Sequence, residues 1–202
     1  MLDRVPFIVE TMALSDLNAV MAIERLSFSA PWSERAYRYE IEENRHSTML
    51  VVRRSAPAGS RLAWLLHRVG ITGRTPALGY GGFWLLVDEV HISTIAVDPA
   101  WRGKGLGEMV LLSLLEKGIG LHARCATLEV RVSNEVAQGL YRKYSFEIAG
   151  RQRRYYSDNN EDAFIMVTPP FDTAAFRDNL QQRRAELHAR LQAGAPRSDG
   201  AL

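Results

Sequence analysis

Apolar positions along the chain switch between a period of two and a period near 3.6, and the switches mark the elements. Alternating runs predict strands at 5–9, 48–53, 79–87, 90–97 and 126–132, with closing strands at 146–150 and 163–168. The 79–87 and 90–97 runs meet at Asp88-Glu89, which reads as an antiparallel hairpin. Helical spacing fills the gaps. Ser15 or Asp16 caps a first helix to about residue 28, Ser29-Ala30-Pro31-Trp32-Ser33 breaks it, and Ser33 with Glu34 opens a second to about 44. A third spans 105–118 with Leu106, Met109, Val110 and Leu114 on one face, and Asn134 caps a fourth ending near 144.

Two stretches stand apart from this alternation. Residues 55–77 mix Pro57, Gly59, Gly70, Gly73 and Pro76 with the apolar knot Leu62 to Leu66, and read as an insertion between strands. Residues 171–202 place Phe176, Leu180, Leu187 and Leu191 at helical spacing and then pass into Gly194-Ala195-Pro196-Arg197-Ser198, so an amphipathic helix with a loose end is expected after a main domain of 1–170. Alternating strands and helices define an α/β class.

Composition narrows the function classes. The chain has 202 residues, 47% hydrophobic and 24% charged, which is globular rather than disordered or fibrous. Its 25 Lys and Arg against 23 Asp and Glu leave +2, so no general affinity for nucleic acid is expected. Cys125 is the lone cysteine, which excludes an intramolecular disulfide or a four-thiolate zinc site, and His91 has no second ligand at metal spacing, so it reads as structural or groove-lining and no metal is assigned. Asp3 and Glu10 near the start argue against a secretory signal, and no apolar run approaches the ~20 residues of a bilayer span. A cytoplasmic location is the expectation.

Candidate chemistry begins with Arg102-Gly103-Lys104-Gly105-Leu106-Gly107, between a strand and a helix. Backbone amides there can converge on an anion at the positive helix end; a flexible loop is the competing reading. A P-loop would need Ser or Thr after Lys104, where Gly105 stands. A dinucleotide fingerprint would need glycine where Glu108 stands, and Asp98-Pro99-Ala100-Trp101 separates the loop from its strand.

The same residues resemble the acyl-CoA motif Arg/Gln-x-x-Gly-x-Gly/Ala of the GCN5-related N-acetyltransferase (GNAT) superfamily, through Arg102, Gly105 and Gly107. Further segments are similar to its ribosomal-protein alanine N-acetyltransferases, of the RimI type: Val87-Asp88-Glu89, Ile95-Ala96-Val97-Asp98-Pro99, Leu128-Glu129-Val130-Arg131, Asn134 with Leu140-Tyr141, the Pro31-Trp32 loop and Arg154-Tyr155-Tyr156. They occur in family order from about residue 6 to 168, with Ser145 standing where the family has Gly. The resemblance implies a GNAT fold, a mixed central sheet splayed between two strands and flanked by helices. It implies acetyl-CoA in the opening, touched by backbone at Ile95, Ala96 and Val97, at Arg102, Gly103, Lys104, Gly105, Leu106 and Gly107, and by Asn134. It implies a protein N-terminal amine as acceptor, the N-terminal alanine of small-subunit ribosomal protein eighteen, with Trp32, Tyr155 and Tyr156 along the peptide groove.

In that frame Glu129 is the general base and Tyr141 the acid that protonates the departing thiolate. Strand alternation turns Glu129 away from Leu128 and Val130, toward a polar groove; a solvated carboxylate is the bland alternative. A weak base suffices for an α-amine titrating near ~8, and a phenol with a pKa near ~10 keeps its proton at neutral pH. The bland alternative for Tyr141 is an aromatic core edge with Leu140 and Tyr144. The N–H near Val97 is expected to polarise the thioester carbonyl, a role whose loss typically costs ~3 kcal/mol. An acetyltransferase for lysine or a small amine, and a catalytically silent acyl-CoA sensor, remain as alternatives, and the oligomeric state is open.

Overall fold

The computed structural model describes residues 6–55 and 74–193, so most of the expected 55–77 insertion and the end of the chain lie outside the described residues. The elements run β1 (Phe7–Thr11), α1 (Leu17–Ser27), α2 (Glu34–Glu42), β2 (Ser47–Arg54), β3 (Gly79–Leu86), β4 (Glu89–Val97), α3 (Leu106–Gly120), β5 (Cys125–Arg131), α4 (Glu135–Lys143), β6 (Glu147–Tyr156), β7 (Glu161–Val167) and α5 (Ala174–Ala193). Caps explain several boundaries. Ser33 Oγ accepts from the Ala36 N–H at 3.2 Å and Asn134 Oδ1 from the Ala137 N–H at 3.1 Å, each satisfying one orphan donor of a helix start. Asp16, expected as a cap for α1, instead turns its carboxylate to Arg53 at 2.8 Å and accepts the Ala13 N–H at 3.0 Å.

The strands form one seven-stranded sheet in the order β1-β2-β3-β4-β5-β7-β6. Every neighbouring pair is antiparallel except β4 and β5. Period-two alternation sends successive β2 residues to opposite layers: Met49 and Val51 join Val20, Ile23 and Tyr37 under α1 and α2, whereas Leu50 and Val52 join Val110, Leu111 and Leu114 under α3. The second layer also takes in Phe176, Leu180, Leu187 and Leu191 of α5. At the far edge β6 runs to Tyr156, well past the expected end at 150, because its side chains are exposed on both faces and carry no alternation to read.

One irregularity shapes the molecule. The parallel pairing of β4 with β5 runs from Glu89↔Cys125 to Ile92↔Leu128 and stops there. The next residue, Ser93, is extra in the β3–β4 ladder, which passes from Phe83↔Ile92 to Gly82↔Thr94. A bulge at that point bends β4 away while its bonds to β3 continue, so the sheet opens between its central strands.

No helix among the described residues is long and apolar enough to cross a membrane.

Candidate active site

The gap between β4 and β5 is a cleft of about 470 Å³, walled by Ser93, Thr94 and Ile95 on one side and Leu128 to Arg131 on the other. Of the residues singled out in the sequence, Trp32, Ile95, Glu129, Asn134, Tyr141, Tyr155 and Tyr156 line it together. Ala96 is 7% exposed and packs under α1, Val97 ends β4, and the loop from Arg102 to Gly107 lies beyond the cleft's described lining.

Glu129 follows the expected alternation: Leu128 and Val130 are buried in the core, and the carboxylate faces the cleft. Its Oε2 lies 3.1 Å from His91 Nε2, and His91 Nδ1 lies 3.3 Å from Thr127 Oγ1. With its proton on Nε2, the imidazole donates to Glu129 and accepts from the Thr127 hydroxyl, which fixes the orientation of both side chains. His91 stacks on Trp84 with ring centres 5.7 Å apart, and Trp84 on Trp32 at 6.0 Å, each pair within 8° of parallel. The Trp84 indole N–H donates to Glu40 Oε2 at 2.8 Å. A ring column thus joins the α1–α2 loop to the carboxylate.

That loop is tied down by a buried acid. Glu24, 2% exposed, accepts the Trp32 N–H at 2.8 Å on one oxygen and the Tyr37 hydroxyl at 2.9 Å on the other. Burial pushes its carboxyl above the usual range, against the pull of those two hydrogen bonds. Across the cleft mouth, Asp158 Oδ2 accepts from Ser29 Oγ, and Arg131 Nη2 donates to Asp158 Oδ1 and Oδ2 at 2.9 and 2.8 Å. Arg131 also lies 3.8 Å over the Tyr156 ring and bonds Glu161 at 3.1 Å.

Burial keeps the cleft tyrosines protonated. Burial pushes the Tyr141 phenol well above its ordinary value. Burial, opposed by the Arg131 guanidinium, brings Tyr156 up to about 12, and burial with the nearby Glu129 charge raises Tyr155. Arg154 has φ +52°, a break in the strand that lets Tyr155 and Tyr156, 5.0 Å apart and edge to face, both reach the cleft.

The opened ladder suits an amide-bearing thioester. Asp98 N–H donates to Leu78 O across β3–β4, so by antiparallel alternation the Ile95 and Val97 N–H groups point into the gap. Ser93 Oγ is buried there without a hydrogen-bond partner among the described residues. Past Val97, a 3-10 turn (Pro99–Trp101) leads into the loop, where Arg102 donates from Nε to Val97 O at 3.1 Å and from Nη2 to Ser27 Oγ at 3.1 Å. Gly103 and Gly105 take φ +76° and +83°, and a Cβ on Gly103 would meet nothing within 4 Å. Lys104 Nζ lies 4.4 Å from the Trp101 ring centre. The N–H groups of the first α3 turn, starting at Leu106 and Gly107, have no partner within the helix. No group of three or more His, Cys, Asp or Glu among the described residues is placed to hold a metal.

A splayed sheet, a glycine turn on a helix start and a carboxylate facing a phenol-lined cleft define a GNAT-type acetyltransferase. The chain belongs to the acetyltransferase (GNAT) family, whose model matches residues 17–146. It is similar to a candidate ribosomal protein bS18-alanine N-acetyltransferase of Bacillus subtilis (strain 168), 37% identical over 158 residues that cover 78% of this chain and 92% of the relative. N-alpha-acetyltransferase RimI of Mycobacterium tuberculosis (strain ATCC 25618 / H37Rv) is 32% identical over 168 residues, 81% of this chain and 93% of its own. The crystal structure of the Escherichia coli ribosomal-protein alanine N-acetyltransferase superposes with a TM-score of 0.65 at 26% identity, covering 83% of this chain and 96% of that one.

Three participants escaped the sequence reading. His91 reads in the sequence as structural or groove-lining, and it does line the cleft, but its pairing with Glu129 depends on the β4–β5 register. Glu24 reads as one more polar position of α1. Asp158 lies in a hairpin turn whose partner, Ser29, is 129 residues away.

Proposed function

We propose that the protein is an acetyl-CoA-dependent N-acetyltransferase acting on a protein N-terminus, and that its substrate is the N-terminal alanine of ribosomal protein bS18. The observation that carries the chemistry is Glu129, held by His91 in the cleft that opens where β4 and β5 part. The names of the relatives support the choice of acceptor. A cytoplasmic location fits a ribosomal substrate.

Acetyl-CoA supplies an activated acetyl thioester when bound. Glu129 takes the proton from the incoming α-ammonium, directly or through water, while the His91 bond keeps its carboxylate aimed into the cleft. The Val97 N–H donates to the carbonyl oxygen as charge develops there. Tyr141, its phenol kept neutral by burial, delivers a proton to the departing sulfur. Backbone amides from Gly103 to Gly107 hold the diphosphate on the positive end of α3, and Asn134 borders the pantetheine arm. Trp32, Tyr155 and Tyr156 grip the first residues of the acceptor.

Mass spectrometry of protein N-termini, from cells with and without this enzyme, tests the assignment. The bS18 N-terminal alanine should be acetylated only in cells that have it; an acetylated bS18 terminus in the deletion strain would refute the assignment.

A further inference from the structure

Helix α5 lies outside the residues matched by the family model, yet its last turns reach the Arg102–Gly107 loop. A Cβ on Gly105 would sit 3.2 Å from Leu187 Cδ1 and 3.5 Å from Leu191 Cδ2, and both leucines are buried. Gly105 is therefore constrained twice, by its left-handed φ of +83° and by the helix packed on it.

Charge leads to the same helix. Glu108 stands in the first turn of α3, where a carboxylate competes with any bound anion for the positive helix end. It is enclosed on every side: one oxygen takes Lys143 and the Tyr144 hydroxyl at 3.0 Å, and the other takes Arg190 of α5. With both cations the cluster carries one net positive charge; without Arg190 it is neutral. Arg184 pairs with Glu116 at 2.7 Å, and Asn179 donates to Lys143 O at 3.1 Å and to Ser145 Oγ at 2.8 Å, so α5 is registered along α3 and α4. Ser145, which replaces the family's glycine, sits at φ +63° and uses its hydroxyl for this contact.

We propose that α5 is a working part of the acyl-CoA site, with Leu187 and Leu191 holding the Gly105 turn in its anion-binding shape and Arg190, beside Lys143, converting Glu108 into a net cationic cluster at the diphosphate end. The inference rests on the reading of Arg102–Gly107 as the diphosphate cradle. Leu187, Leu191 and Arg190 are positioning residues.

The test compares acetyl-CoA with acetyl-pantetheine, which keeps the thioester and lacks every phosphate, on the full chain carrying Arg190→Gln, Arg190→Lys, Leu187→Ala or Leu191→Ala. Arg190→Gln should weaken CoA binding in calorimetry by about tenfold, the size of one charge acting at a partly buried helix end, as the Glu108 cluster turns from net positive to neutral, and lower kcat/KM for acetyl-CoA by the same factor. Its kcat/KM for acetyl-pantetheine should not move, and Arg190→Lys should restore most of the loss. The alanine variants should show the same selectivity; if they fail to fold, Arg190→Gln decides, since that side chain is 56% exposed. Equal losses with both thioesters, or no loss with either, would overturn the role of α5. A parent enzyme that uses both thioesters equally well would overturn the cradle reading itself, and this inference with it.

Discussion

A carboxylate in mid-strand is ordinarily a solvated side chain; Glu129 differs because His91 holds it inside a cleft at 3.1 Å. Its value as a base depends on how much of the acceptor amine arrives protonated. Glu129→Gln should lower the single-turnover rate by about 100-fold near pH 6.5 and by much less at pH 9, where an α-amine of pKa ~8 is already neutral. Tyr141→Phe should slow the chemical step without changing acetyl-CoA affinity, since the ring and its packing against Phe146 remain. Rapid-quench rates across pH check both, and unchanged rates in both variants would return these side chains to purely structural roles.

Among the elements, α3, α4 and α5 meet at one carboxylate. Burial alone would raise Glu108, but hydrogen bonds and charges from Lys143 and Arg190 outweigh it and hold the carboxyl below its ordinary 4.5. A depressed folded-state value means that the stabilisation is complete above the unfolded value and is lost as pH falls through the folded one. Glu108→Gln should therefore cost about 2 kcal/mol at neutral pH, and the difference from the parent should shrink steadily below pH 4.5. Denaturant melts at several pH values measure it. A deficit that stayed constant into acid would mean that packing, not ionisation, joins these helices.

At the scale of the molecule, the splay between β4 and β5 leaves the Arg102–Gly107 loop and the cleft mouth on different sides of the opening, which the proposed function uses for its two substrates. The Arg102–Gly107 loop lies at the α3 side, whereas the cleft mouth is bounded by the α1–α2 loop and the β6–β7 hairpin, latched through Ser29, Asp158 and Arg131. If this mouth is the acceptor groove proposed above, its closure favours a chain end over an internal side chain. Peptides beginning with alanine should be acetylated at least tenfold faster than identical peptides with a blocked α-amine and a free lysine, whose amine, pKa near ~10.4, is also more firmly protonated. Faster modification of the lysine peptide would move the enzyme to the lysine-directed class.

Much of this architecture was legible in the chain alone. Alternating and helical patterns located the buried strands, α3 and α5, because burial of one face imposes those periods wherever an element lies on a core, and cap residues marked α1, α2 and α4. They also faced Glu129 away from Leu128 and Val130. The edge strand β6 was cut short because an exposed strand has no buried face to pattern it. Local chemistry placed the Asn134 and Ser33 caps and the Gly103 and Gly105 turn, since each depends on residues within a few positions. Only the tertiary structure decided which distant groups meet. The register of β4 on β5 brought His91 to Glu129, the bulge at Ser93 opened the cleft, and the antiparallel course of α5 carried Leu187 and Arg190 to the start of α3. Such contacts join positions tens of residues apart, and no local period records them; they form when both sheet faces are buried under helices and distant polar groups find partners there.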